Sequence, residues 1–263
     1  MATERWISAQ RTARDEPVVE SSPIRPTTFH EYVGQRDLLE RLRISVQAAL
    51  ERGESMGHVL LHGPPGLGKT TMAHVIAQEM GANVHVTSGP ALTKGTDLAG
   101  ALTKLSANDV LFIDEIHRMP APVEEFIYPA MEDGRIDVSV DAGMHARTVT
   151  LRLKPFTLIG ATTRAGLLSA PLRSRFDLSH HLRFYPWEDL LSILVRSCGV
   201  MGLESDESAL VSIAKRSRGT PRIANRLLRR VRDYAQVKCV GRIDDGSVAE
   251  ALALEGVDGL GLD

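Results

Sequence analysis

Residues Gly63-Pro64-Pro65-Gly66-Leu67-Gly68-Lys69-Thr70-Thr71 follow the spacing G-x-x-x-x-G-K-[ST], and each residue type in it has a chemical use. Gly63, Gly66 and Gly68 let backbone N–H groups turn inward on an anion, and a helix starting beyond them adds the positive end of its dipole. Lys69 brings a point charge to the β- and γ-phosphates. Thr70 brings a hydroxyl for Mg²⁺. His58-Val59-Leu60-Leu61-His62 reads as a short buried strand and Met72 to Ala77 as a helix, the flanks such a loop needs. The chemistry implied is the binding of a nucleoside triphosphate.

Hydrolysis needs a second set of groups. Asp109 to Glu115 is an apolar run ending in Asp114-Glu115. At the end of a strand beside the loop, one acid orients Mg²⁺ and the next polarises a water. Carboxylates at the C-terminal end of a parallel strand also fall in the crevice where such sheets bind ligands. Thr162-Thr163 closes the next apolar strand, which starts at Phe156. A polar side chain there could sense the γ-phosphate or position the water, but taken alone an ordinary strand-end threonine pair is the stronger reading. In Arg173-Ser174-Arg175-Phe176, an arginine could stabilise transition-state charge on a neighbouring subunit's γ-phosphate; surface salt bridges are the equal alternative. Gly219-Thr220-Pro221-Arg222 opens a helix, with Thr220 as cap and Pro221 in the first turn, so that Arg222 projects from the N-terminus.

The basic run Arg218, Arg222, Arg226, Arg229, Arg230 and Arg232, with Lys215 and Arg216 before it, invites a nucleic-acid reading. The stronger reading is an amphipathic helix whose apolar face is Ile223, Leu227, Val231 and Tyr234. Its basic face would then meet acids on a neighbouring subunit. No histidine shows metal-ligand spacing, and Cys198 and Cys239 read as small core residues, so no metal beyond Mg²⁺ is expected.

Something must hold these groups together. Asp37 to Leu50 has helical spacing of Leu38, Leu42, Val46 and Ala49. Thr27 or Thr28 is placed to cap a short helix around Phe29 to Tyr32. Strands are expected at 83–87, 109–115, 156–160 and 181–184, with a helix at 123–132. The alternation of Ile136, Val138 and Val140, then Val149, Leu151 and Leu153, about a turn near Asp141-Ala142-Gly143, predicts a β-hairpin over 136–153. Strands alternating with helices imply a mostly parallel sheet sandwiched by helices. After Pro186 only helices are expected, at 187–199, 207–218, 222–238 and 247–254. The chain therefore divides into a disordered arm (1–22), a large domain (23–185) and a small all-helical domain (186–263).

At 263 residues with 43% hydrophobic and 24% charged content, the composition is that of a globular protein. No apolar run is long enough for a membrane span and no signal peptide is visible, and two cysteines, Cys198 and Cys239, are too few for a disulfide framework, so a reducing cytoplasmic location without membrane contact is expected. The net charge of −2 supplies no global attraction for DNA.

These parts together are those of an AAA+ ATPase with a P-loop domain and a helical lid, and the wording is narrower still. The run 58–71, Phe112-Ile113-Asp114-Glu115-Ile116-His117-Arg118, Tyr128 to Asp133, Gly160 to Leu168 and above all Arg218 to Arg232 resemble the RuvB family, motors of Holliday-junction branch migration. The resemblance runs from about Ile24 to the end. It implies ATP and Mg²⁺, with Ile24 and Arg25 near the nucleotide and Gly66, Lys69, Thr70 and Thr71 on the phosphates. It further implies Thr70 and Asp114 at the metal, Glu115 on the water and Thr163 as first sensor. Arg175 would be a finger acting across subunits, Tyr185 the adenine-side tyrosine and Arg222 the second sensor. Glu132-Asp133-Gly134 matches a stretch facing the nucleotide region, although the family often has an aromatic where this chain has Gly134.

The resemblance also implies a homo-oligomeric, hexameric ring, Holliday-junction DNA as substrate and a RuvA-type junction-binding partner docked on hairpin 136–153. Family members continue past a sequence like Val257 to Asp263 into a winged-helix DNA-binding domain, which these residues do not include. The alternative is a clamp-loader-like or regulatory switch, in which ATP drives assembly. The hairpin and Gly166-Leu167-Leu168 argue against it. A helicase with two motor cores does not fit this length.

Overall fold

The computed structural model describes residues 24–139, 148–239, 241–258 and 261. The expected arm 1–22 and the hairpin turn near 141–143 lie outside them. A five-stranded, wholly parallel sheet runs in the order β2 (Val84–Ser88), β3 (Val110–Asp114), β6 (Thr157–Thr162), β1 (Val59–His62), β7 (Leu178–His181). The three central strands β1, β3 and β6 are buried almost throughout, as strands covered on both faces must be. In β7 the adjacent His180 and His181 point apart, one buried and one exposed.

One face of the sheet is covered by α1 (Arg36–Arg52) and α2 (Lys69–Glu79), the other by α3 (Gly95–Thr103), α4 (Ala121–Asp133) and α5 (Ala170–Ser174). The helices α6 (Trp187–Met201), α7 (Glu207–Arg216), α8 (Pro221–Lys238) and α9 (Asp245–Leu254) follow. Their apolar residues join the α1–α2 core through Leu182, Tyr185, Leu190 and Leu194. The antiparallel hairpin β4 (Arg135–Ser139) and β5 (Thr148–Arg152) pairs Ile136 with Leu151 and Val138 with Val149. Ile136 is buried at its base, while Val149 and Leu151 are exposed.

Four local expectations change. Residues 28–31 form a turn, because the Glu31 carboxylate takes both the amide (2.8 Å) and the hydroxyl (3.2 Å) of Thr27 and closes the segment on itself. The last strand lies three residues earlier than 181–184, fixed by the register Val59↔Leu178 to His62↔His181. Helix α3 is an addition. Its Gly95 and Gly100 weaken the helical pattern, and the Asp97 carboxylate starts it by accepting from the Thr93 and Lys94 amides at 3.0 and 2.9 Å. Thr220 does occupy the N-cap of α8, but its hydroxyl donates to the Arg218 carbonyl rather than accepting from the helix.

Strand register gathers the chemistry at one edge. His62, which leads into the loop, lies opposite Thr162, and Ile113 lies opposite Gly160, so the next residues, Gly63, Thr163 and Asp114, emerge side by side. Gly160 is required there, since a Cβ would lie 2.9 Å from the Phe176 ring and 3.1 Å from Ile116.

Candidate active site

The loop 63–68 leaves β1 and turns into α2 at Gly68, whose φ of 98° is open to glycine. A Cβ at Gly68 would also lie 2.6 Å from the Tyr32 hydroxyl. Lys69 is buried, and its ammonium donates to the carbonyls of Gly63 and Pro64, both at 2.8 Å. Burial pushes its pKa down; Asp114 partly counters this, and Arg222 adds to it.

Beside the loop opens a cavity of about 510 Å³. Ile24, Arg25, Gly66, Gly68, Lys69, Thr70, Thr71, Asp114, Glu115, Thr163, Tyr185 and Arg222 all line it. Three distant parts of the chain thus meet: the entry segment, the strand ends and helix α8. The α8 contact is direct, for the Arg222 amide donates to the Gly66 carbonyl at 3.3 Å. Tyr185 is buried, and its hydroxyl lies 3.3 Å from both the Tyr32 hydroxyl and the Leu67 carbonyl, with one proton to give between them. Desolvation raises the pKa of both tyrosines, which favours their neutral forms.

The two acids are held differently. Asp114 accepts from the Glu115 amide at 2.9 Å. Glu115 has φ 48° and ψ 41°, a left-handed conformation costing a non-glycine residue about 1 kcal/mol or more. Its carboxylate is paired with Arg118 at 3.1 Å, both groups being well exposed. Of the threonine pair, Thr163 lines the cavity while Thr162 is buried and hydrogen-bonded to His117 Nδ1 at 2.8 Å. Desolvation depresses the His117 pKa against the pull of Glu115.

Thr70 and Asp114 offer a hydroxyl and a carboxylate on one cavity wall, hard oxygen donors of the kind Mg²⁺ takes when phosphate and water complete its shell. Among the described residues no group of three or more His, Cys, Asp or Glu could hold a metal unaided.

Gly63 contributes its carbonyl to Lys69 without lining the cavity. Arg175, Glu132, Asp133 and Gly134 do not line it either. Arg175 stands 4.1 Å over the Tyr128 ring, pairs with Glu132 at 3.0 Å and donates to the Pro171 carbonyl at 2.8 Å, while its Nε is buried without a partner. Asp133 pairs with Arg135, and Gly134 ends α4 at φ 60°.

Glu31, Tyr32, Val33, Ile193, Arg196, Asn225 and Arg229 line the cavity without having been anticipated. Asn225 and Arg229 lie one and two turns beyond Arg222 on one face of α8, a spacing that could have found them. Tyr32 and Arg196 come from elements whose approach only the fold decides. Part of the basic run is thereby used internally: Arg222 and Arg229 face the cavity and Arg230 pairs with Glu255 at 3.5 Å.

Two family models match the chain, the Holliday junction DNA helicase RuvB P-loop domain over residues 24–182 and the RuvB AAA lid domain over 185–258. A Holliday junction branch migration complex subunit RuvB from Fusobacterium nucleatum is 53% identical over 260 residues, covering 99% of this chain and 78% of that protein. Its counterpart from Desulfosudis oleivorans is 57% identical over 239 residues, 91% of this chain and 70% of its own length. Among solved structures, the Thermotoga maritima RuvB Holliday junction branch migration motor is 48% identical with a TM-score of 0.83, over 92% of this chain and 76% of that one.

Proposed function

The chain belongs to the RuvB family, and from that membership we propose that it is an ATP-hydrolysing ring motor that drives branch migration of Holliday junctions in DNA recombination and repair. The observation that carries this reading is the meeting of Lys69, Asp114, Glu115, Thr163 and Arg222 at one cavity while Arg175 stands outside it. Such a site binds a nucleotide by itself but holds only part of what hydrolysis needs.

In this reading ATP lies along the cavity with its phosphates on the loop. Lys69 exchanges the Gly63 and Pro64 carbonyls for phosphate oxygens, and the amides of Gly66, Gly68 and Thr71 complete the cradle. Thr70 and Asp114 would hold Mg²⁺, which would supply positive charge to offset that of the β- and γ-phosphates. Glu115 leaves Arg118 and accepts a proton from water as that water's oxygen bonds to the γ-phosphorus and the bond to the β–γ bridging oxygen breaks, releasing ADP and phosphate, with Thr163 as the polar neighbour on the next strand end. Ile24, Arg25 and Tyr185 form the base-side wall, and Arg222 senses the phosphates from α8. Arg175, with Glu132, Asp133 and Gly134 beside it, serves the neighbouring subunit's nucleotide.

The remaining assignments rest on the same family reading. They are a hexameric ring, junction DNA as substrate, a RuvA-type partner on hairpin 136–153 and a cytoplasmic location. Among the described residues no helix is long and apolar enough to cross a membrane. The division into 23–185 and 186–263 is supported by β7 ending at His181 and α6 starting at Trp187. The test is ATP turnover with and without junction DNA and a RuvA-type protein. Stimulation by both together is expected; turnover indifferent to both would favour a switch that uses ATP only to assemble.

A further inference from the structure

The base-side wall of the cavity is built from a segment with two very different ends. At residue 29 the segment is fixed to the sheet-bearing part: Phe29 is buried, its amide donates to Glu79 of α2 at 2.6 Å, and its carbonyl accepts from Arg43 of α1 at 3.0 Å. At residues 24–25, where the segment meets the cavity, the backbone carbonyls are held, among the described residues, by one side chain from the helical part. Arg196 of α6 donates through Nη1 to the Ile24 carbonyl at 2.6 Å and through Nη2 to the Arg25 carbonyl at 3.3 Å and to the Glu31 carboxylate at 3.1 Å. Glu31 in turn holds the Thr27 amide and hydroxyl. One planar fork therefore spans three acceptors, a geometry that suits guanidinium and not ammonium. Arg196 itself lines the cavity.

We propose that Arg196 is a positioning residue that straps segment 24–31 to the helical lid, so that the Ile24–Arg25 wall and the lid close on the nucleotide as one body. The inference rests on the reading of this cavity as the nucleotide site. Without the strap the wall would keep its anchor at Phe29 and lose its set at Ile24 and Arg25. The lid would still reach the loop through the Arg222 amide, so phosphate contacts would survive while the base-side enclosure loosened.

The test uses the whole protein with a fluorescent ADP analogue, steady-state ATPase kinetics and nucleotide-free melting. Arg196→Ala is expected to weaken the analogue and raise KM for ATP by about tenfold or more, the scale of a lost charge-assisted contact. The loss should fall on KM rather than on kcat, with the nucleotide-free Tm within about 2 °C of the parent. Arg196→Lys, which keeps the pair with Glu31 but not the fork, should recover part of the affinity, and Glu31→Gln should lose less than Arg196→Ala. Unchanged affinity in a normally melting Arg196→Ala protein would overturn the strap. So would a fall in Tm with unchanged affinity below the transition. Lys69→Ala separates the two levels. If it too binds the analogue normally, the cavity is not the nucleotide site; if it loses binding while Arg196→Ala keeps it, only the strap fails.

Discussion

Lys69 is buried, and its ammonium is held by two loop carbonyls, those of Gly63 and Pro64. Its charge is compensated by those neutral dipoles and by the fields of Asp114 and Glu115, and opposed by burial and by Arg222. Lys69→Ala is expected to abolish nucleotide binding, seen as loss of any nucleotide-induced rise in Tm. Glu115 sits off that path, at a strained turn and paired with Arg118. Glu115→Gln keeps the size and hydrogen-bonding reach of the side chain but cannot take a proton. Such a protein should bind ATP with near-parent affinity and hydrolyse it at least about a hundredfold more slowly, the usual contribution of a general base. Normal turnover in that variant would remove Glu115 from the water-activating role.

At the scale of elements, the cavity depends on how closely α8 approaches the loop. A Cβ on Gly66 would lie 2.8 Å from Thr220 and 3.0 Å from Arg222, and the backbone there has φ 81°. Gly66→Ala should push the two elements apart and weaken nucleotide binding with little effect on the sheet, which titration and urea melting can separate. Gly160 behaves oppositely. Gly160→Ala crowds Phe176 and Ile116 inside the core, and a loss of about 1–3 kcal/mol in urea denaturation is expected.

His58 ties β1 to β6 and α4: its Nδ1 accepts from the Leu158 amide at 2.9 Å, and its Nε2 lies 3.2 Å from the Met131 carbonyl. Burial depresses its pKa below the ordinary value. The unfolded chain therefore binds more protons than the folded one at mildly acid pH. The stability from neutral His58 is complete above about pH 6.5, the unfolded value, and is lost as pH falls through the lower folded value. His62, His74, His117 and His180 are shifted in the same direction, chiefly by burial. Urea midpoints should fall between pH 7.5 and 5.5, and His58→Gln should lower the pH 7.5 value and reduce the slope without abolishing it.

For the whole molecule, the telling feature is that the expected catalytic groups do not all meet. Lys69, Asp114, Glu115 and Thr163 line the cavity, whereas Arg175 stands over Tyr128 and against Glu132 without lining it. If the finger works on a neighbour, Arg175→Ala and Glu115→Gln proteins should each be inactive alone and regain turnover when mixed. The regained rate should depend on the mixing ratio. Absence of recovery in mixed assemblies that do form would count against a finger in trans.

The sequence by itself determined a good deal. The loop at 63–71, the acids at 114–115 and the helix start at 221–222 were legible because their chemistry depends on residue type and short spacing, whereas Thr163 stood out only through the family resemblance. The apolar runs of β1, β3 and β6 were legible because strands buried on both faces leave little room for polar residues. The wording around those motifs was distinctive enough to point to the family.

Tertiary structure alone decided what those motifs meet. Nothing local tells that Tyr32 hydrogen-bonds to Tyr185, that Arg196 reaches back to Ile24, or that β7 pairs with β1 from Leu178. Helix α3 escaped notice because its glycines dilute a pattern that a side-chain cap restores. A phosphate-binding loop works through its own backbone, and neighbouring residues can encode that. Enclosing a nucleotide takes walls from the entry segment, the sheet and the lid, and their distances are set by packing across more than a hundred residues of chain.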